Sequence, residues 1–274
     1  MVPSMPLRRL SLLLPLLLLP LSLVHAEKLT KEQLTLFFGK DDRVVVRPDS
    51  SPWQSIGQIT TKGGLECTAT LVAPDVALTA GHCFLGPQGR MDPAESFTLG
   101  LVGDRYKERV AASEVYVSAR LLKGLIHRKD GIYIPASLGA WDYAFVRLKN
   151  RVGDRFGVIP YFSGSRDDLS DLLERNGMRI TQAGYPEDTD NIMMAHKDCR
   201  ATGLLPDGRL GHHCDTLSGD SGSPIFAFIN GKPVIVAIQS SAPDARKRKL
   251  ADNMGLSTPV FSRALDAFIL RKPR

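Results

Sequence analysis

Past residue 26 the sequence lacks an apolar run long enough to cross a bilayer as a helix, lacks an internal repeat of roughly 20 to 50 residues and lacks any low-complexity tract. These absences exclude a polytopic helical membrane protein, a solenoid and a largely disordered chain. Charge of one sign is also modest, since 35 Lys and Arg against 29 Asp and Glu leave +6. So small an excess does not mark a nucleic-acid partner, and none is expected. Cysteine is scarce at four residues, and no two of them share the C-x₂₋₄-C spacing of a zinc site. His196, His212 and His213 lie near Cys199 and Cys214 but are therefore read as surface or hairpin histidines, with no metal and no cofactor expected.

What is present begins with an export signal. Arg8 and Arg9 supply the positive start, Leu10 to Val24 the leucine-rich run, and Val24-His25-Ala26 a small-residue cleavage site. An uncleaved anchor is the rival reading, but Pro15 and Pro20 interrupt a run already short for a span. Cleavage leaves 248 residues beginning at Glu27, in the periplasm or outside the cell, and lowers the formal charge to +4 because the leader carries two Arg and no acid. That length buries a sizeable core without a metal. In an oxidising compartment four cysteines read as two disulfides. Of the three connectivities, Cys67–Cys83 and Cys199–Cys214 are favoured because each pair lies close in sequence and within one predicted half. Each closes a loop of about 15 residues, worth about 3 kcal/mol in the chain-entropy account.

Residues 27–43 read as a pro-segment or N-terminal arm. From Val44 short β-branched runs recur, among them VVVRP, SIGQIT, ATLVA, DVALTA, RVAASEVYVS, YAFVRL, RITQAGY, SPIFAFI and PVIVAIQ, separated by Gly, Pro, Asp and Asn clusters. This texture predicts an all-β chain of antiparallel barrels or sandwiches rather than βαβ units. Ser163 to Asn176 reads as helix or loop, and a last helix is predicted from Ser257 or Thr258 to Ile269 with Val260, Leu265, Phe268 and Ile269 on one face. The expected divisions are an N-terminal barrel over 44–155, a C-terminal barrel over 156–257 and a helix with its tail over 258–274.

Three strings carry the chemistry: TAGHC (Thr79 to Cys83), WDYAFVRL (Trp141 to Leu148) and GDSGSP (Gly219 to Pro224). Acyl transfer needs a hydroxyl whose proton a histidine accepts, and a buried carboxylate that fixes the imidazole tautomer and stabilises the imidazolium. His82, Asp142 and Ser221 supply those three groups. Gly219 and Ser221 offer backbone N–H groups for a developing oxyanion, where a Cβ at 219 would interfere.

These strings resemble the trypsin and chymotrypsin superfamily. The resemblance implies two six-stranded barrels with the site in the cleft between them, Ser221 as nucleophile, His82 as general base, Asp142 as its orienting acid, and a polypeptide substrate cut by a monomeric serine endopeptidase. GKDDRVVV before Pro52-Trp53, AGYPED (Ala183 to Asp188), Cys214-Asp215-Thr216 and Ser223 resemble the bacterial glutamyl endopeptidase branch more narrowly.

On substrate choice the resemblance divides. Asp215 stands six residues before Ser221, the trypsin spacing of a pocket-floor acid, and implies cleavage after Arg or Lys; a two-residue gap would instead make it structural. Gln239 stands where the glutamyl branch has a histidine, which counts against strict Glu cleavage. Ser240 is expected to hydrogen-bond Asp142, and Ser241 to pair with the substrate backbone. Asp220 resembles the trypsin aspartate that receives a new N-terminal amine, but Val44 lies too close to Pro52-Trp53 for that, which leaves its partner open. The basic run Arg246 to Lys249 is a solvated loop or a cleft rim. The rival functions are a protease-like binding protein with a dormant site and, less favoured, a quality-control protease.

Overall fold

The computed structural model describes residues 34–86, 89–128, 131–243, 247 and 251–271. The expected leader and all of the basic run except the exposed Lys247 lie outside the described residues.

The β-branched runs pair into two antiparallel barrels. A two-residue strand β1 (Val44–Val45) precedes β2 (Ile56–Thr61), β3 (Glu66–Ala73), β4 (Val76–Thr79), β5 (Ala94–Leu99) and β6 (Glu108–Val117). A short helix α1 (Ala119–Lys123) and the hairpin of β7 (Ile126–Arg128) and β8 (Gly131–Tyr133) come before β9 (Ala144–Leu148). The first barrel closes in the order β2-β3-β4-β9-β6-β5. Helices α2 (Gly153–Phe156) and α3 (Arg166–Arg175) lead into the second half. Ser165 opens α3 through a capping box with Asp168, as its place before the leucines predicts.

The second half contains β10 (Arg179–Gly184), β11 (Met194–Leu204), β12 (Arg209–His212), β13 (Pro224–Ile229), β14 (Lys232–Ser241) and β15 (Asn253–Ser257), then helix α4 (Thr258–Leu270). The sheet order β11-β10-β13-β14-β15-β12 closes on itself through β11–β12 pairing, which makes a second six-stranded barrel. Closure leaves neither barrel with a long unpaired edge. β1 corrects one expected boundary. Val44–Val45 pairs with Ala195 and Met194 of β11, so this run belongs to the second sheet, and the first barrel begins at Ile56.

Each barrel has its own core, with Leu71, Phe84, Phe97 and Val146 in the first and Leu173, Ile180, Leu210 and Val236 in the second. A third cluster, including Leu78, Phe145, Tyr185, Phe226, Ile238, Phe261, Leu265 and Phe268, joins the barrels to α4. The buried stripe of α4 is Phe261, Leu265 and Phe268, while the expected Val260 and Ile269 are only partly buried. Both disulfides have the expected connectivity, Cys67–Cys83 and Cys199–Cys214, with S–S distances of 2.09 and 2.06 Å.

Candidate active site

His82, Asp142 and Ser221 come from three different loops and meet in the cleft. His82 lies in the 3₁₀ turn Gly81–Phe84 that follows β4, and Asp142 ends the 3₁₀ turn Ala136–Trp141 that precedes β9. Because β4 pairs with β9, the two turns emerge side by side. The Nδ1 of His82 lies 2.7 Å from Asp142 Oδ2, and its Nε2 lies 2.7 Å from Ser221 Oγ. The buried Asp142 carboxylate also accepts the His82 backbone N–H at 2.7 Å and the Ser240 hydroxyl at 2.6 Å. Those donors fix the carboxylate, which in turn selects the Nδ1–H tautomer and leaves Nε2 to accept from Ser221. Burial disfavours the charged imidazole, but the charge and hydrogen bond of Asp142 outweigh it and raise the His82 pKa above its ordinary 6.5.

The loop carrying Ser221 is held from both barrels. The Thr68 N–H on β3 donates to the Ser221 carbonyl at 3.0 Å, and Gly222 N–H donates to the Gln239 carbonyl at 2.8 Å. Gly219 has φ +90°, and a Cβ there would lie 2.4 Å from the Tyr185 carbonyl oxygen, so this position requires glycine. The amides of Gly219 and Ser221 donate to no described residue. Asp220 is buried and turned inward, its Oδ2 accepting from Leu217 N–H and the Thr216 hydroxyl, both at 3.1 Å. Burial raises its pKa to about 6, against the lowering effects of the Leu217 amide, the Arg43 charge and the Thr216 hydroxyl.

Beside Ser221 opens a cavity of about 390 Å³, lined by Leu36 of the N-terminal arm, Thr216–Ser218 and residues 239–243. Gln239, Ser240 and Ser241 are thus gathered at the cavity, and Ser240 makes its expected bond to Asp142.

A family model, the trypsin-like peptidase domain, matches residues 67–238. The chain belongs to this family. In fold it is similar to a solved structure of a Glu endopeptidase in complex with MPD, at 22% identity and a TM-score of 0.65, with 84% of this chain and 97% of that one covered. It is also similar to the crystal structure of a thermostable serine protease, AL20, from an extremophilic microorganism, at 19% identity and a TM-score of 0.55, covering 80% of this chain and 98% of that one.

Two expectations about this trypsin-like peptidase are corrected. Asp215 does not line the cavity. Its buried carboxylate accepts from the backbone N–H groups of Phe38 and Asp42, each at 2.9 Å, and thereby pins the N-terminal arm against the second barrel. Both oxygens are committed, so they are not available to a substrate cation. His212 is not a surface histidine either. It is completely buried on β12, with Nδ1 accepting from Cys214 N–H at 3.2 Å and Nε2 2.8 Å from Gln239 Oε1. Nothing in the pattern RLGHHC distinguishes the inward His212 from His213, which is partly exposed and bonds Asp252 at 2.8 Å.

Two sequence strings from the peptidase's opposite halves meet at the buried Arg43, whose guanidinium bonds Asp41 at 2.9 Å and Asp188 at 2.7 and 3.1 Å. This network ties the arm to the loop after β10, whose Tyr185 carbonyl abuts Gly219. As for metals, Asp42, His196 and Asp215 place possible ligand atoms within 4.8 Å of one another. Two of the three groups are already engaged, for His196 Nδ1 accepts Asp215 N–H at 2.9 Å and the Asp215 oxygens hold the arm. In the trio of Cys67, His82 and Cys83 both sulfurs are consumed by the disulfide.

Proposed function

We propose that this peptidase is an exported serine endopeptidase that cuts polypeptides through an acyl-enzyme on Ser221. The single observation that carries the reading is the continuous chain from Ser221 Oγ through His82 to Asp142, with both links 2.7 Å long. His82 Nε2 takes the Ser221 proton as Oγ attacks the scissile carbonyl carbon, and Asp142 stabilises the imidazolium that results. The amides of Gly219 and Ser221 stabilise the oxyanion of the tetrahedral intermediate, each such donor contributing about 100- to 1,000-fold to turnover. The imidazolium then protonates the leaving amine, and water, deprotonated by the same histidine, releases the acyl group.

The leader of residues 1–26 and the two disulfides support export to the periplasm or the cell exterior. The expected preference for Arg or Lys rested on Asp215 and is not carried forward. Asp220 accepts from Thr216 and Leu217, and the two 2.7 Å links of the triad favour an active site over the dormant one of a binding protein. A fluorophosphonate probe tests the reading: processed wild-type protein should be labelled and Ser221→Ala should not. Labelling that persists in Ser221→Ala would place the nucleophile elsewhere, and an unlabelled wild type would restore the dormant reading.

A further inference from the structure

The lining of the cavity beside Ser221 includes, besides the Ser218 and Ser241 hydroxyls, the side-chain amide of Gln239. Its orientation is not free. His212 Nδ1 accepts the Cys214 N–H, so the ring proton sits on Nε2 and can donate only to an oxygen. That oxygen is Gln239 Oε1, 2.8 Å away, which leaves the NH₂ group as the other end of an amide that belongs to the cavity lining. One of its two N–H bonds reaches the Ser241 carbonyl at 3.2 Å, and the other has no partner among the described residues. The side chain is nevertheless buried, with Gln239 only 3% exposed. A buried donor without an acceptor is costly, and a ligand that supplies the acceptor is favoured by the difference.

The remaining lining narrows the choice of ligand. Thr216 Oγ1 is engaged with Gln182 and Asp220, and Ser240 Oγ with Asp142. Leu36, Leu217, Ala242 and Pro243 are apolar, and no described lining residue carries a formal charge. A carboxylate entering this cavity would give up its hydration without meeting a cation among the described lining residues. An ammonium or guanidinium would meet the positive end of the Gln239 amide instead of an acid, and an apolar side chain would bury the amide N–H unpaired. The side chain that satisfies the donor without adding charge ends in a neutral carbonyl and is long enough to reach into the cavity.

We propose that Gln239, oriented by His212, makes this peptidase select glutamine as the residue on the acyl side of the scissile bond. This selection rests on the reading of Ser221 as nucleophile. Gln239 is the residue that touches the substrate side chain, and His212 is a positioning residue that acts through it.

The test compares kcat/KM on matched peptides that differ only in having Gln, Glu, Leu or Lys before the cleaved bond. Gln should be cut fastest, about 10- to 100-fold faster than Leu, the range expected for one buried donor left unpaired. Gln239→Leu should bring the Gln-over-Leu ratio to about one, and His212→Phe, which removes the donor that orients the amide, should lower the same ratio severalfold. The ratio is internal to each variant, so a loss of folded protein does not move it, and thermal unfolding reports that loss separately. Faster cleavage after Glu or Lys, or an unchanged ratio in Gln239→Leu, overturns the proposal while leaving the nucleophile intact. A wild type that fluorophosphonate does not label brings down the Ser221 reading and this proposal with it.

Discussion

As the proposed general base, His82 is expected to set the working pH. Its pKa lies above 6.5 because Asp142 favours the imidazolium more than burial opposes it. The base must be neutral to accept the Ser221 proton, so kcat/KM should rise with pH through an inflection above 6.5. Asp142→Asn removes the charge and offers the wrong tautomer, and it should lower kcat by about 10⁴ at neutral pH. Asp220 acts on stability instead. Its folded pKa of about 6 exceeds the ordinary 3.8, so the folded state holds this proton more tightly than the unfolded chain does. Its contribution therefore falls as pH rises from about 4 to 6, and above that it costs about 3 kcal/mol. Asp220→Asn keeps an acceptor for Thr216 and should gain more melting temperature over wild type at pH 7.5 than at pH 4.5. An equal difference at the two pH values would show that Asp220 does not titrate in this window. The proposed catalytic residues were legible because each lies in a contiguous string, TAGHC, WDYAFVRL or GDSGSP. Asp215 and His212 were not, since spacing along the chain does not reveal which way a side chain turns.

At the scale of elements, α4 fastens the barrels together. Phe261 is completely buried, 5.6 Å from the Tyr143 ring and 6.3 Å from the Phe145 ring, and both partners lie just after Asp142 in sequence. Phe261→Ala should cost about 3–5 kcal/mol in urea unfolding, the range for a buried aromatic whose site cannot collapse. A cost below about 1 kcal/mol would mean that α4 is not part of the cooperative core. The helix itself was readable from its apolar period, though the stripe centres on Phe261 rather than Val260. Strands β5, β11, β12 and β15 of the barrels, and the hairpin strands β7 and β8, were not among the predicted runs. β11 alternates buried Ala195, Cys199 and Ala201 with exposed polar residues, and its hydrophobic signal is too sparse to read locally. β1 shows the converse limit, for a β-branched run announces a strand without naming its partner.

For the molecule as a whole, the site exists because two closed barrels present their loops to one another. The first supplies His82 and Asp142, the second supplies Ser221 and Ser240, and Thr68 N–H reaches across to the Ser221 carbonyl. The arm adds a further tie through Arg43 and Asp215. The two-barrel architecture was legible only through the resemblance of the catalytic strings, because strand texture alone permits a sandwich as well. Catalysis as proposed passes through a covalent intermediate on the Ser221 hydroxyl. Acid-quenching the enzyme during turnover of a slowly hydrolysed ester or peptide, followed by peptide mapping in a mass spectrometer, tests it most directly. The acyl mass should appear on the fragment containing Ser221 and vanish in Ser221→Ala; an acyl group on any other residue, or turnover with none, would contradict it.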